Sequence, residues 1–247
     1  MKSILYPHDY FKEKKVDEDY LNEAETLSDI IETYTLKTLP AGREVLYRGW
    51  MLSPSEYIEM TENVVKKGSA LVVDVSHYHA SHYLSHWYEE LKDLTPLTVF
   101  TNEENLAQTV HNLKWSQYFI KDEVKSLTTQ RGSVATSLTD IQHILVELKK
   151  YRTIEGQLAL REVHDFINDT EQRYFSVNGQ VFSNTGNISD LVTEVARRMK
   201  HLSFISIDTI MDSHGKEWLV EIGDGQVSGL KEWSLDNFKK VIEFIQS

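Results

Sequence analysis

The chain has 247 residues, 26 basic against 38 acidic, and a formal net charge of −12. That balance has the wrong sign for a general nucleic-acid groove, and no stretch of about 18 apolar residues suggests a membrane span. Cysteine is absent, which excludes disulfides and thiolate metal sites.

Before Pro7 stands only a short apolar run, so no signal peptide is expected and a cytoplasmic location is the default reading. Residues 2–6 (KSILY) read as a strand, 17–33 as an acidic helix, and 44–52 (EVLYRGWML) as a second strand. Ser53, Pro54 and Glu56 then open a helix, because a serine cap, proline in the first turn and an acid three residues on form a capping box. Residues 70–75 (ALVVDV) read as a strand and 80–93 as a helix. From about Thr101 the texture changes. A strand at 118–127 (YFIKDEVKSL) precedes the polar loop TTQRGS, a helix at 138–150 begins after Ser137, and 157–163 is a strand. Residues 171–183 (EQRYFSVNGQVFS) read as a hairpin, since Asn178-Gly179 is a favoured type I′ pair. Apolar positions spaced helically run over 188–202, two strands follow at 203–211 and 217–222, and Ser234 caps a last helix at 235–246. Loose alternation gives way to antiparallel sheet backed by helices: an α/β region joined to an α+β region.

The last strand pair carries acids at odd places. If His214-Gly215 is a two-residue loop, Asp208 and Glu221 stand directly opposite, with Cβ atoms about 4.5–5.5 Å apart. Like charges so placed are tolerated when one acid is protonated or a cation lies between them, and Mg²⁺ suits the second case, taking one or two carboxylates plus phosphate oxygens. The plain alternative is a pair of solvated acids with a different turn. Asp224 faces away on a regular strand, but glycine at 223 frees the backbone to turn it to the metal side.

Lys121, Glu123 and Lys125 fall on one face of their strand, just before Arg131-Gly132-Ser133. Such lysines and loop amides can hold a polyphosphate, and a solvated charged face is the competing reading. Neither a Walker loop nor G-x-G-x-x-G occurs. Arg48, amid apolar residues, needs a partner: a substrate carboxylate, or a structural acid. His77, His79, His82 and His86 crowd together, and His82 and His86 have zinc-chelating spacing on a helix. Without H-E-x-x-H they read better as neutral surface or half-buried histidines.

Taken in order, YRGWML (47–52), YFIKDEVKSL (118–127), LALREVHDF (158–166), EQRYF with VNGQVF, FISIDTI (204–210) and WLVEIGDGQVSGL (218–230) resemble the ATP-grasp superfamily, and within it the R2K clade. The resemblance implies an ATP-grasp fold, two lobes gripping ATP behind a leading α/β domain. It divides the chain into 1–100 and 101–247, with lobes of about 101–160 and 161–247. Lys121 matches the lysine on the ATP phosphates, and Arg173 a basic residue near the transferred phosphate. Glu162 and Val163 match the hinge that reads adenine, with Arg161 beside them in the cofactor site. Asp208 and Glu221 match the Mg²⁺ acids. Relatives carry asparagine two residues after the last acid; here that position is Gly223, and Asp224 is the substitute ligand. The implied activity is ATP- and Mg²⁺-dependent ligation of a small-molecule or peptide carboxylate to an amine through an acylphosphate. A phosphotransferase on the same site and a non-catalytic interaction or immunity protein are the alternatives. The sequence does not set the oligomeric state.

Overall fold

The computed structural model describes residues 2–12, 15–124, 132–151 and 153–247. Close contacts divide the chain into two compact units that interleave along the sequence. One comprises Met1–Ser81, Gln172–Asp208 and Ile222–Ser247, and the other His82–Glu171 and Thr209–Glu221.

The first unit opens with a parallel sheet. Strands β1 (Lys2–Tyr6), β2 (Thr33–Thr35), β3 (Glu44–Tyr47) and β4 (Ala70–Leu71) are ordered β2-β1-β3-β4. Helix α1 (Glu18–Leu27) is shorter than its acidic pattern suggests. The Ser28 hydroxyl and amide both bond to Glu25 and close it, and the chain runs on into β2. The strand expected over 44–52 ends at Tyr47. Glycine at 49 meets a packing limit there, because a Cβ would sit 2.3 Å from the Tyr47 hydroxyl. Helix α2 (Pro54–Lys66) carries the expected capping box, with the Ser53 amide donating to Glu56 at 2.7 Å. The run 70–75 makes only a two-residue strand, because Asp74 accepts from the His77 amide and starts helix α3 (Val75–His82).

The same unit holds the hairpin of β9 (Gln172–Val177) and β10 (Gln180–Ser183), helix α7 (Asp190–Arg198) and helix α8 (Leu235–Gln246). Asn178 and Gly179 both have positive φ (49° and 88°), as a type I′ turn requires. Ser234 caps α8 by accepting from the Asn237 amide at 3.2 Å. Phe238, Val241, Ile242 and Ile245 of α8 pack in one core with Ile4, Tyr6, Phe175, Val177 and Phe204. That helix therefore joins the parallel sheet to the hairpin sheet by burial.

In the second unit the sheet is antiparallel. Strands β5 (Thr98–Thr101), β6 (Tyr118–Asp122), β7 (Val134–Ala135) and β8 (Leu158–Glu162) are ordered β5-β8-β6-β7. Helices α4 (Leu84–Leu91), α5 (Leu106–Leu113) and α6 (Leu138–Tyr151) belong to it. Ile141, Ile144 and Leu148 of α6 close a core over Ile120, Leu158 and Leu160. Strand β5 and helix α5 have no counterpart in the sequence reading. Both are short: the helical spacing of Leu106, Val110 and Leu113 extends over only eight residues, and β5 over four. Strands β11 (Phe204–Met211) and β12 (Glu217–Asp224) complete the sheet ordered β10-β9-β11-β12.

The loop joining β11 to β12 corrects the expected turn. The Asp212 amide donates to the Lys216 carbonyl at 2.9 Å, and Gly215, with φ +81°, donates to the Asp212 carbonyl at 3.0 Å. Three residues form the loop rather than two, so the count that set Asp208 against Glu221 loses its premise. Among the described residues no helix is long and apolar enough to cross a membrane.

Removing the α2 cap gives a direct check on local reading. Ser53→Ala should cost about 1 kcal/mol, measured as a lower urea midpoint with an unchanged slope; an unchanged midpoint would mean that packing alone holds the helix end.

Candidate functional site

Each unit holds a paired charge cluster that includes residues singled out by sequence. In the second unit, Lys121 projects from the middle of the sheet, where β6 pairs with β8 opposite Ala159. Its side chain is 5% exposed, and its ammonium donates to Glu221 Oε1 at 3.0 Å. Glu221 is the more exposed partner, at 39%. Lysine on a central strand is costly unless paired, and this carboxylate supplies the pairing.

Beside it Arg161 is buried at the end of β8. Its Nη1 donates to the Val220 carbonyl (2.9 Å) and its Nη2 to Thr95 Oγ1 (2.6 Å), while Nε is buried without a partner. Burial pulls this guanidinium down to about 10 against the opposing charge of Glu221. A cavity of about 290 Å³ opens here, lined among others by Phe119, Arg161, Glu162, Val163 and His164. The His164 ring lies 4.3 Å from that of Trp218, and its Nε2 is 3.4 Å from Glu162 Oε2. Apolar walls with a few convergent polar groups are what a flat heterocycle needs. Sequence reasoning placed Arg161, Glu162 and Val163 together but passed over His164 and Trp218, which meet only because loop and strand fold together.

Glu123, expected on the Lys121 face, lies beyond the end of β6 and is engaged by Ser85 and by the Gln157 amide. Lys125 and Arg131, expected on the phosphates, lie outside the described residues.

In the first unit the corresponding pair is stronger. Arg173 of β9 forks onto Asp208, with Nε to Oδ1 at 2.8 Å and Nη2 to Oδ2 at 2.6 Å. Lys231 adds a second cation at 2.9 Å from Oδ2. Asp208 is 3% exposed. Lys231 lies in the loop after β12 and was not singled out by sequence; nothing in its local pattern marks it.

Arg48 is held by Glu23 through two bonds, at 2.9 and 2.8 Å. Its Nη1 points at the carbonyls of Gly225, Gln226 and Ser228. This geometry favours the structural ion pair over the substrate clamp, because the donors that would read a carboxylate already face protein oxygens.

Asp224 has a setting unlike the expected third metal acid. It is 2% exposed, and its Oδ1 accepts from the Gln226 amide (2.9 Å) and side chain (3.1 Å), while Ser81 Oγ donates to Oδ2 at 3.3 Å. Gly223 answers to crowding rather than to dihedral freedom: a Cβ there would come within 2.8 Å of Ser206 Oγ. The histidine run is divided between two helices, His82 ending α3 and His86 lying within α4, so the chelating helix face is not formed. His77 instead meets Ser203 Oγ at 2.9 Å.

Mg²⁺ demands oxygen donors and keeps waters and phosphates beside one or two carboxylates. Asp208 and Glu221 supply that donor type, Asp208 beside Arg173 and Lys231 and Glu221 beside Lys121. Among the described residues no three acids or histidines gather into an all-protein cage. The donor chemistry therefore fits Mg²⁺ brought in with a nucleotide.

The family model described as ATP-grasp domain, R2K clade family 3, matches residues 59–242. The chain belongs to the R2K clade of ATP-grasp domains. Solved ATP-grasp structures share the fold at low identity. The D-cycloserine synthetase DcsG has a TM-score of 0.66 at 10% identity over 99% of this chain and 98% of its own. The macrocyclase MdnC from Microcystis aeruginosa MRC, solved with its precursor peptide MdnA, has 0.63 at 10% identity over 100% of both. The ligase PsnB, solved with precursor peptide PsnA2 and AMPPNP, has 0.59 at 11% identity over 100% of this chain and 97% of its own. No curated protein matches the sequence itself.

Burial in this R2K chain raises the Asp224 carboxyl to about 7, well above the usual value near 4. The folded state then holds this proton more tightly than the unfolded chain. Stability should accordingly fall as pH rises from about 4 to about 7, by on the order of 4 kcal/mol at most. Asp224→Asn should flatten that slope in urea melts across the range; an equal slope in the variant would place its source elsewhere.

Proposed function

We propose that this chain is an ATP- and Mg²⁺-dependent ligase joining a carboxylate to an amine through an acylphosphate. One observation carries the reading: two of the three acids expected to hold Mg²⁺ are each paired with a cation expected to hold phosphate, Glu221 with Lys121 and Asp208 with Arg173. Within a family that grips ATP, such pairs are a resting state in which protein carboxylates stand in for phosphate and protein cations for metal.

In the chemistry proposed, the substrate carboxylate attacks the γ-phosphate and ADP leaves. The amine then displaces phosphate from the acylphosphate, and the C–N bond forms. Mg²⁺, when bound, neutralises phosphate charge. Lys121 and Arg173 orient the phosphates and stabilise the charge that spreads in transfer. The cavity by Arg161, Glu162 and Val163 takes the adenine, with His164 offering a ring to stack on. No protein nucleophile is required. The proposed division is a leading α/β domain to about residue 100, followed by ATP-grasp lobes of about 101–160 and 161–247. Peptide carboxylates and amines are the favoured substrate class, because MdnC and PsnB were each solved with a precursor peptide and PsnB also with Mg and ADP.

Saturating Mg·ATP, at about 100 times its dissociation constant, should stabilise the fold by about 2.7 kcal/mol. Lys121→Ala should weaken ATP by about tenfold or more while the apo melt changes little. Thermal melts with and without nucleotide and metal check both. Product analysis with peptide acceptors then separates ADP plus an amide from ADP plus a phosphorylated product. Absence of any nucleotide-dependent shift would sink the reading.

A further inference from the structure

The parallel sheet of the first unit reverses its winding between β1 and β3. From β1 the chain crosses to β2 on one side, then returns past β1 to β3 and β4 on the other. In sheets of this kind, ligands bind in the crevice outside the carboxyl ends of the strands where the order reverses. Here those ends meet at Pro7 and Gly49, since a Cβ on Gly49 would come within 2.8 Å of the Pro7 ring. Apolar side chains stand open to solvent beyond both. After β3, Trp50 is 46% exposed and Met51 39%. After β1, the Pro7 carbonyl accepts from the Asp17 amide at 3.0 Å. The loop closed by that bond carries Tyr10 and Phe11, the two most exposed large apolar side chains among the described residues.

Trp50 is exposed but firmly held. Its carbonyl accepts from the Tyr47 hydroxyl at 3.1 Å, and the Gly49 amide before it donates to the Gln226 carbonyl at 3.3 Å. After it, the Leu52 amide donates to the Tyr78 hydroxyl at 3.0 Å, and that hydroxyl donates to the Leu52 carbonyl at 2.6 Å. The indole Nε1 donates to Asp19 Oδ2 at 3.4 Å, and the ring meets that of Tyr20 edge-on at 5.7 Å. Fixing an aromatic side chain in water gives folding little, but it lowers the ordering cost of binding. The charge around it is acidic. Glu18 and Asp19 are exposed on the first turn of α1, and Arg48 is committed to Glu23. Burial pushes the Tyr20 hydroxyl up to about 12; Arg48 opposes the rise, and Glu23, Asp19 and Asp17 add to it.

We propose that this end of the sheet is a docking site for a peptide segment carrying a lysine or arginine beside an apolar side chain. The assignment rests on the reading above in which the substrate is a peptide, and it names that peptide's chemistry. The apolar side chain covers Met51 and part of the indole. The cation lies against the indole face, with Glu18 and Asp19 at its rim, because an aromatic face attracts a cation and the carboxylates complement its charge. An acidic segment meets the same carboxylates as like charges and is refused.

The test is titration calorimetry on the full chain, without nucleotide or metal, using two blocked hexapeptides: Leu-Lys-Ala-Leu-Lys-Ala and Leu-Glu-Ala-Leu-Glu-Ala. The lysine peptide should bind at least about tenfold more tightly than the glutamate peptide. Trp50→Ala should weaken the lysine peptide about tenfold. Asp19→Asn, an exposed change, should weaken it about threefold and flatten its salt dependence. Should the alanine variant fail to fold, Trp50→Leu keeps an apolar side chain without a π face and should cost about threefold. No binding of the lysine peptide, equal binding of both peptides, or unchanged affinity in the variants would overturn the assignment. Self-association of the wild type that Trp50→Ala abolishes would overturn it too, since the surface would then belong to a second copy of the chain. The two readings fail separately. A chain that binds the lysine peptide but shows no shift with Mg·ATP keeps this site and sinks the ligase proposal, whereas a Mg·ATP shift without peptide binding sinks only the docking site.

Discussion

A single buried guanidinium, that of Arg48, organises the first unit. It lies just beyond β3, forks onto Glu23 of α1, and caps the carbonyls of Gly225, Gln226 and Ser228 after β12. Tyr6 of β1 donates to the same Glu23 at 2.9 Å, and the guanidinium lies 4.7 Å from the Phe238 ring of α8. Four distant parts of the chain are thereby fixed by one charge. Leaving either member of such a pair buried alone costs about 3–5 kcal/mol, so the arrangement is stable only when complete. Gln226, fully buried, extends it: its side chain accepts from the Tyr47 amide and donates to the Tyr57 hydroxyl. The segment after β12 is positioned by these bonds rather than by any regular secondary structure.

That positioning matters because the same segment continues to Lys231 and Glu232, which meet Arg173 and Asp208. Buried and partly exposed charges thus lie within a few residues of one another on this segment. Arg48, Glu23 and Asp224 face inward and are satisfied by protein groups. Asp208, Arg173 and Lys231 form a cluster whose lysine is partly exposed. In the second unit the division recurs, with Arg161 buried against backbone and Lys121 on a half-exposed acid.

Much of the architecture is legible in order. The Ser53 box, the Asn178-Gly179 turn and the Ser234 cap each act within a few residues, so the local sequence suffices to specify them. The hidden parts are those that depend on distant packing. Helix α5 and strand β5 span only eight and four residues and pass unread between longer elements. The glycine at 223 answers to Ser206, which folds back from β11, whereas the glycine at 49 answers to the Tyr47 ring only two residues away.

The sequence by itself determined the residue types, the alternation of elements and the ordered set of motifs that marks an ATP-grasp chain. Those are properties of spacing, and spacing is written along the chain. Tertiary structure alone decided which charges are spent on folding. Arg48 and Asp224 read as site residues because a buried charge looks the same in sequence whether its partner is a ligand or a carbonyl. Lys231 read as nothing at all, because only a loop closing back onto β9 brings its ammonium to Asp208. Electrostatic energy depends on distance in space, and that distance is fixed by the fold.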